Sequence, residues 1–188
     1  HYERYASFLA ALKKLVSLTK NYGLRHTNID LIGEMIANFG LTIMPNEELV
    51  QQINMLLDSS FNNVNVIDFD DMMWMPIVQG WKLPRYDFVG IDESQDLNPL
   101  RQLYTNLVGE RVMVVGDRHQ AIFGFCGADT RSMDTMREML AKRGPTQELL
   151  LNITRRCPRS HVELANGIYP GALESAPEAI EGTIGKSD

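Results

Sequence analysis

The sequence contains little cysteine and no long apolar run. Cys126 and Cys157 are its only two cysteines in 188 residues, too few for a disulfide scaffold or a four-cysteine zinc site. No apolar stretch approaches the roughly 20 residues that span a bilayer. Residues 1–20 mix charged and apolar side chains, as a signal peptide does not. These absences predict a cytoplasmic protein with no membrane partner.

Net positive charge is also missing, because the formal charge at pH 7 is −6. This balance argues against nucleic-acid binding as a property of the whole surface. With 44% hydrophobic and 22% charged residues, the composition is that of an ordinary globular protein. It excludes disordered and collagen-like chains.

The pattern of apolar residues changes along the chain. Up to about residue 62 they recur every three or four positions, which predicts helices, and Asn28 and Asn46 are placed to cap two of them. Farther on, short apolar strands alternate with helices, which predicts a parallel sheet. The predicted strands are 86–91, 112–115 and 149–151, and the predicted helices between and around them are 69–79 (capped by Asp68), 99–107, 130–142 and 158–166. Ligands bind beyond the carboxyl ends of such strands.

Two adjacent carboxylates, Asp92 and Glu93, follow the first predicted strand. Carboxylates at the end of a buried strand are costly unless a cation or solvent meets them. A magnesium ion bound to nucleotide phosphates is a natural partner. One carboxylate would hold the metal, and the next would orient or deprotonate the water that attacks a γ-phosphate. The alternative is an acidic, solvated turn.

The second predicted strand ends in a glycine–aspartate turn, and Gln120 follows it. The amide of Gln120 both donates and accepts hydrogen bonds, which suits a sensor between a terminal phosphate and another site. Phe123 and Phe125 stand among glycines, where exposed rings would stack on unpaired bases, at about 1–3 kcal/mol per base. The alternative is that both rings are buried in a loop.

Three arginines, Arg155, Arg156 and Arg159, lie where the third predicted strand turns into a helix. An arginine at such a position reaches a phosphate across a domain interface in some nucleotide hydrolases. A solvated basic turn is the alternative meaning of the cluster.

Four stretches together resemble the UvrD/Rep-type superfamily 1 DNA helicases. Residues 66–73 are similar to the D-F-x-D-L-L segment of that family, and residues 88–96 to motif II, its D-E-x-Q-D box. Residues 112–128 resemble motif III, and residues 149–166 resemble motif IV. The four stretches occur in the order of the family and near its spacing.

This resemblance implies an ATP-dependent motor with ATP and Mg²⁺ as cofactors. By the same resemblance, Asp92 would bind magnesium and Glu93 would activate the attacking water. Gln120 would contact the γ-phosphate and couple it to DNA. Arg156 would contact the γ-phosphate from a second RecA-like domain.

The resemblance also implies the partner, which is single-stranded DNA or a duplex–single-strand junction. Phe123 and Phe125 would line the track of the single strand. Such a motor works in the cytoplasm, and the family points to a bacterial or phage-type host.

A helicase of this family needs a phosphate loop, G-x-x-x-x-G-K-[ST], which the 188 residues do not contain. The Gly-Lys-Ser at 185–187 has Ile180 where the first glycine should stand. We therefore expect a helicase fragment that is inactive by itself. Its fold class is α/β, part of a RecA-like P-loop NTPase sheet with flanking helices. The expected parts are the end of an inserted helical subdomain (1–62), part of the first RecA-like ATPase domain (63–144) and the start of the second (145–188).

Two other functions are compatible with the sequence. One is a non-catalytic, helicase-like module that only binds DNA or a protein partner. The other is a metal-dependent phosphodiesterase built on six carboxylates, namely Asp68, Asp70, Asp71, Asp92, Glu93 and Asp96.

Overall fold

Helices and short parallel strands make up the chain, which confirms the α/β class. The computed structural model describes residues 2–120 and 131–185. In chain order the elements are α1 (Tyr2–Asn21), α2 (Ile29–Asn38), α3 (Glu47–Asn62), α4 (Asp71–Val78), β1 (Tyr86–Ile91), α5 (Pro99–Val108), β2 (Gly109–Val114), α6 (Ser132–Ala141), β3 (Ile153–Thr154), α7 (Arg159–Ile168) and β4 (Glu174–Ser175). Short 3-10 turns at Ser94–Asp96 and Arg118–Gln120 come soon after β1 and β2.

Asparagine side chains begin several of these helices. The side-chain oxygens of Asn28 and Asn46 each accept a hydrogen bond from the backbone N–H three residues later, at 2.9 and 2.8 Å. Both predicted caps are therefore confirmed. Asn98 caps α5 in the same way, at 2.9 Å. Each such cap stabilises its helix because it satisfies a backbone donor that has no partner inside the helix.

The start of α4 is held by two aspartates that bond reciprocally. Oδ1 of Asp68 accepts from the N–H of Asp71 at 2.8 Å, and Oδ2 of Asp71 accepts from the N–H of Asp68 at 3.1 Å. The two bonds have the reciprocal pattern of a capping box, but the N-cap position of α4 is Asp70, whose side chain makes no capping bond, so the prediction that Asp68 caps this helix is wrong in position. The helix itself begins at Asp71, two residues later than predicted. Pro76 lies inside it, and the helix ends at Val78.

The chain forms two compact units, His1–Pro145 and Thr146–Asp188. The core of the first unit is built from α1 to α5, with five side chains that have no exposed surface: Leu15, Ile32, Ile53, Leu57 and Trp74. The indole N–H of Trp74 donates to the carbonyl of Leu24 at 2.8 Å, so the largest core side chain has its polar atom satisfied. The assignment of chain segments to helicase subdomains stays a prediction.

The sheet of the first unit pairs β1 with β2 in parallel, with Ile91 opposite Val114. The chain crosses from β1 to β2 through α5, as parallel strands require. The strand at 86–91 is as predicted, and the second begins at Gly109, three residues earlier than predicted. The sheet brings the residues after Ile91 and after Val114 to the same edge.

In the second unit, over residues 146–185, the structure shows one short parallel pair, β3 with β4, joined through α7. The predicted strand at 149–151 is wrong. Its three leucines are between 73% and 82% exposed and lie in irregular backbone. An apolar run becomes a strand only where a neighbour takes its hydrogen bonds. In this unit the N–H of Glu174 bonds the carbonyl of Asn152 at 2.7 Å, which places the pairing after the leucines.

None of the helices in the described part of the chain is long and apolar enough to cross a membrane.

Candidate functional site

The carboxylates of Asp92 and Glu93 lie directly beyond the carboxyl end of β1, and both residues are exposed. The N–H of Glu93 donates to Oδ1 of Asp92 at 2.9 Å. Glu93 has a φ of 52°, in the left-handed region, which no other non-glycine residue among those described adopts. Such backbone conformations cost about 1–3 kcal/mol and concentrate at functional sites. The strain therefore marks Glu93 as a position where side-chain placement matters.

The turn after Glu93 is fastened to the end of β2. The N–H of Ser94 donates to the carbonyl of Val115 at 2.9 Å. A Cβ at Gly116 would lie 2.5 Å from Oε1 of Gln95 and 2.8 Å from Oγ of Ser94, far inside normal contact. Only glycine lets the two segments approach this closely.

Gln95 joins the two strand ends through its side chain. Its Nε2 donates to Oε2 of Glu93 at 2.7 Å, and its Oε1 accepts from the N–H of Asp117 at 3.0 Å. The residue is 3% exposed. Both ends of the amide are therefore paired inside the protein, as a buried amide requires.

Gln120 is bound to the same edge through Asp117. Its Nε2 donates to Oδ2 of Asp117 at 2.8 Å, and its N–H donates to the carbonyl of Asp117 at 3.0 Å. Oδ1 of the aspartate accepts from the N–H of His119 at 2.9 Å. Gln120 is exposed at the end of this chain of bonds. The structure therefore connects Glu93 and Gln120, two predicted site residues, through Gln95 and Asp117.

Sequence reasoning assigned no role to Gln95 or Asp117. Gln95 was visible as the glutamine of the D-E-x-Q-D box, and Asp117 as the aspartate that ends the second strand. Neither observation shows which groups their side chains bond. That information lies in the pairing of β1 with β2.

The oxygens at the end of β1 suit a magnesium ion. Mg²⁺ binds through one or two carboxylates and completes its shell with water and substrate phosphates, and Asp92 offers an exposed carboxylate beside that of Glu93. No cluster of three or more His, Cys, Asp or Glu side chains in the described ranges could enclose a metal by itself. The two adjacent carboxylates can supply one or two of the oxygen ligands of Mg²⁺, whose other ligands would have to come from water or phosphate.

The family model for the UvrD/REP helicase N-terminal domain matches residues 4–141, well over half of the 188 residues. The chain belongs to the UvrD/REP helicase family. The match includes the strand-end residues Asp92, Glu93 and Gln120 and confirms the resemblance found in the sequence. No curated protein matches the chain.

Arg156 lies beyond the part of the chain that the helicase family model matches. It is exposed on the second unit, after β3. Its two neighbours in the arginine cluster are engaged: Nη1 of Arg155 pairs with Oε1 of Glu178 at 2.5 Å, and Arg159 donates to two backbone carbonyls at 3.0 and 2.8 Å. Within the described residues the guanidinium of Arg156 has no such partner, and its role in phosphate contact stays a prediction.

Phe123 and Phe125, the predicted DNA-stacking residues of this helicase-family chain, lie outside the described residues. Their role stays a prediction.

The acidic residues before α4 are held by side chains of α1. Nζ of Lys20 lies 2.8 Å from Asp68 and 2.8 Å from Asp71. Asp70 accepts from Oγ of Ser17 at 2.6 Å and from Nδ2 of Asn21 at 3.0 Å. These carboxylates therefore have a structural role, because they bond side chains of α1. The phosphodiesterase hypothesis, which needs them free for metal, therefore loses half of its carboxylates.

Proposed function

We propose that this chain is part of an ATP-dependent DNA helicase or translocase that couples ATP hydrolysis to movement on single-stranded DNA. Membership of the UvrD/REP family supports the class of protein. The observation that carries the proposal is the hydrogen-bonded path from Glu93 to Gln120 at the strand ends. A hydrolytic carboxylate linked to a phosphate sensor is the arrangement that such coupling needs.

In this function the first unit is part of a RecA-like ATPase domain. Asp92 would hold Mg²⁺, which neutralises charge on the nucleotide phosphates. Glu93 would orient and deprotonate the attacking water, a task for which an exposed carboxylate held by a hydrogen bond is suited. Gln120 would bond the γ-phosphate and exchange that bond for the one it makes to Asp117.

Arg156 would reach the γ-phosphate from the second RecA-like domain, as an arginine finger does. Support comes from its exposure and from the engagement of Arg155 and Arg159 by other groups. A planar guanidinium with five donors is the side chain best matched to transferring phosphate oxygens.

The nucleic-acid partner would be single-stranded DNA, or its junction with a duplex, bound through stacking. Phe123 and Phe125 would supply the stacking faces, so the chain needs no positive net charge for this contact. Replacing Phe125 with alanine in the full-length protein should reduce DNA-stimulated ATP turnover more than basal turnover. Equal losses in both would count against stacking.

The decisive test is Glu93→Gln in the full-length cytoplasmic protein. We expect nucleotide binding to persist and turnover to fall by about 10²–10⁴-fold, because the amide cannot accept the proton of water. Glu110→Gln, an exposed glutamate at the start of β2, is the matched control and should keep full turnover. Retained turnover in Glu93→Gln removes this residue from the role of base.

The 188-residue chain itself should hydrolyse ATP negligibly, because it contains no phosphate loop. ATP turnover stimulated by single-stranded DNA in a pure sample of this chain would contradict that. DNA binding without any turnover in the full-length protein would favour the alternative, a non-catalytic DNA- or protein-binding module.

A further inference from the structure

Few other side chains could make the contacts that Gln95 makes. Its amide donates to the carboxylate of Glu93 at 2.7 Å and accepts from the N–H of Asp117 at 3.0 Å, while the residue is 3% exposed. Glutamate at this position would lack the donor and would face another carboxylate. Asparagine is one methylene shorter, and methionine has the length without either polar group. The position thus uses both the donor and the acceptor of a glutamine amide.

The side chain of Gln95, which bridges Glu93 and Asp117, is closely packed. Oε1 of Gln95 lies in the space that a side chain at position 116 would need, 2.5 Å from where the Cβ would be. Ser94, on the preceding position, is fully buried and bonded to the end of β2. A displacement of the segment after β2 would therefore push on the amide of Gln95, which packs against Gly116.

At its outer end the path reaches solvent. The backbone N–H of Asp117 donates to Oε1 of Gln95, and the carboxylate of Asp117 accepts from Nε2 of Gln120 at 2.8 Å. Gln120 is exposed, so its side chain is open to a ligand. If that amide turned from Asp117 to a phosphate, the carboxylate of Asp117 would lose a donor and the 117–120 turn would readjust.

We propose that Gln95 is a positioning residue through which the 117–120 turn controls the orientation of the Glu93 carboxylate. This inference rests on the proposed function, in which Glu93 is the base and Gln120 the phosphate sensor. Gln95 does not touch the reacting atoms. Its amide bonds the Glu93 carboxylate and the Asp117 N–H at the same time, so a shift of Asp117 would reach that carboxylate and hydrolysis would depend on the state of the sensor.

The test is Gln95→Met in the full-length protein, compared with Gln102→Met. Gln102 is a matched control because it is also 3% exposed, and its amide bonds Leu97 and Ser132 at 3.1 and 2.9 Å, so it bonds neither Glu93 nor Asp117. We expect Gln95→Met to lower DNA-stimulated kcat by roughly 10–100-fold, the effect of a slightly misplaced catalytic group. KM for ATP should stay within about twofold, since substrate contacts are untouched. Equal kinetics for the two variants, or a loss confined to KM, would overturn the inference.

A double variant tests whether the path is one unit. If Gln95 and Gln120 act through the same link, the kcat of Gln95→Met with Gln120→Ala should be no lower than that of the worse single variant. Independent multiplication of the two losses would contradict the relay.

A spectroscopic measurement on the 188-residue chain needs no catalysis. Gln95→Met should accelerate hydrogen exchange at the backbone amide of Asp117, which loses its acceptor, whereas Gln102→Met should leave that amide protected. Unchanged protection in both would refute the bridge. If Glu93→Gln keeps full turnover, the proposed function fails. If Glu93→Gln abolishes turnover while Gln95→Met is as active as wild type, only the present inference fails.

Discussion

Lys20 and Asp71 form an ion pair at 2.8 Å whose side chains are only 2% and 3% exposed. The same ammonium lies 2.8 Å from Asp68 and 5.6 Å from the ring centre of Trp74. A buried charge is tolerated only when it is paired and hydrogen-bonded. This cluster therefore fastens α1 to the segment that leads into α4.

Replacing Lys20 with methionine should destabilise the chain by about 3–5 kcal/mol, because it leaves the carboxylate of Asp71 buried without a counter-charge. Urea unfolding followed by circular dichroism measures this difference. Lys13→Met is the control, since Lys13 lies on the same helix but is exposed, and its effect should stay within about 0.5 kcal/mol. Similar losses in the two variants would show that the pair contributes nothing beyond surface charge.

Stability should fall at both ends of the pH scale because of the same cluster. Burial alone would lower the pKa of Lys20, but the hydrogen bonds and charges of Asp68 and Asp71 outweigh it and raise that pKa above 10.5. This contribution is complete below pH 10.5 and is lost as pH rises through the raised pKa. Burial alone would raise the pKa of Asp68, but the bonds from Lys20 and from the backbone of Asp71 lower it below 3.8. That contribution is present above pH 3.8 and is lost as pH falls through the lowered pKa.

Urea midpoints measured across these ranges check the assignment. Lys20→Met should flatten the alkaline loss, and Asp68→Asn should flatten the acid loss. Slopes identical to wild type in both variants would assign the pH dependence to other groups.

The strands show how far local pattern predicts the fold. The run at Tyr86–Ile91 was predicted with its observed bounds, while the equally apolar run at 149–151 is no strand. The two runs differ in whether a strand lies beside them. β1 pairs with β2 after one helical crossover, whereas in the second unit β4 pairs with β3, at residues 153–154, and not with the leucines. Apolar pattern reports the tendency to be extended, but the partner that satisfies the backbone is a tertiary fact.

The site divides in the same way. Glu93 and Gln120 were predicted as site residues because each follows a strand in a recognisable spacing. The link between them was not, because the bond from Gln95 to Asp117 spans 22 positions. It exists only because β1 and β2 pair with Ile91 opposite Val114, a register that one sequence does not reveal.

Gly116→Ala should destabilise the first unit by about 1–3 kcal/mol, the usual cost of overpacking. The new methyl group would meet Oε1 of Gln95 at 2.5 Å and the backbone nitrogen of Ser94 at 3.0 Å, and backbone cannot step aside as a flexible side chain does. Gly144→Ala is the matched control, because no atom lies within 4 Å of its added Cβ. Thermal unfolding of both variants tests this, and a Gly116→Ala chain as stable as Gly144→Ala would contradict the tight approach.

Arg156→Lys in the full-length protein should lower ATP turnover by about 10³-fold or more, the range associated with arginine fingers, because lysine keeps the charge but loses the bidentate fork. Arg155→Lys is the neighbouring control. Its guanidinium pairs with Glu178 on the surface, with both side chains more than half exposed, so its loss should cost stability only slightly and leave turnover near wild type. Single-turnover ATP hydrolysis with saturating single-stranded DNA measures both. A larger loss in Arg155→Lys than in Arg156→Lys would contradict this prediction and assign the arginine-finger role to Arg155. In that case the ion pair between Arg155 and Glu178 would have to open when nucleotide binds.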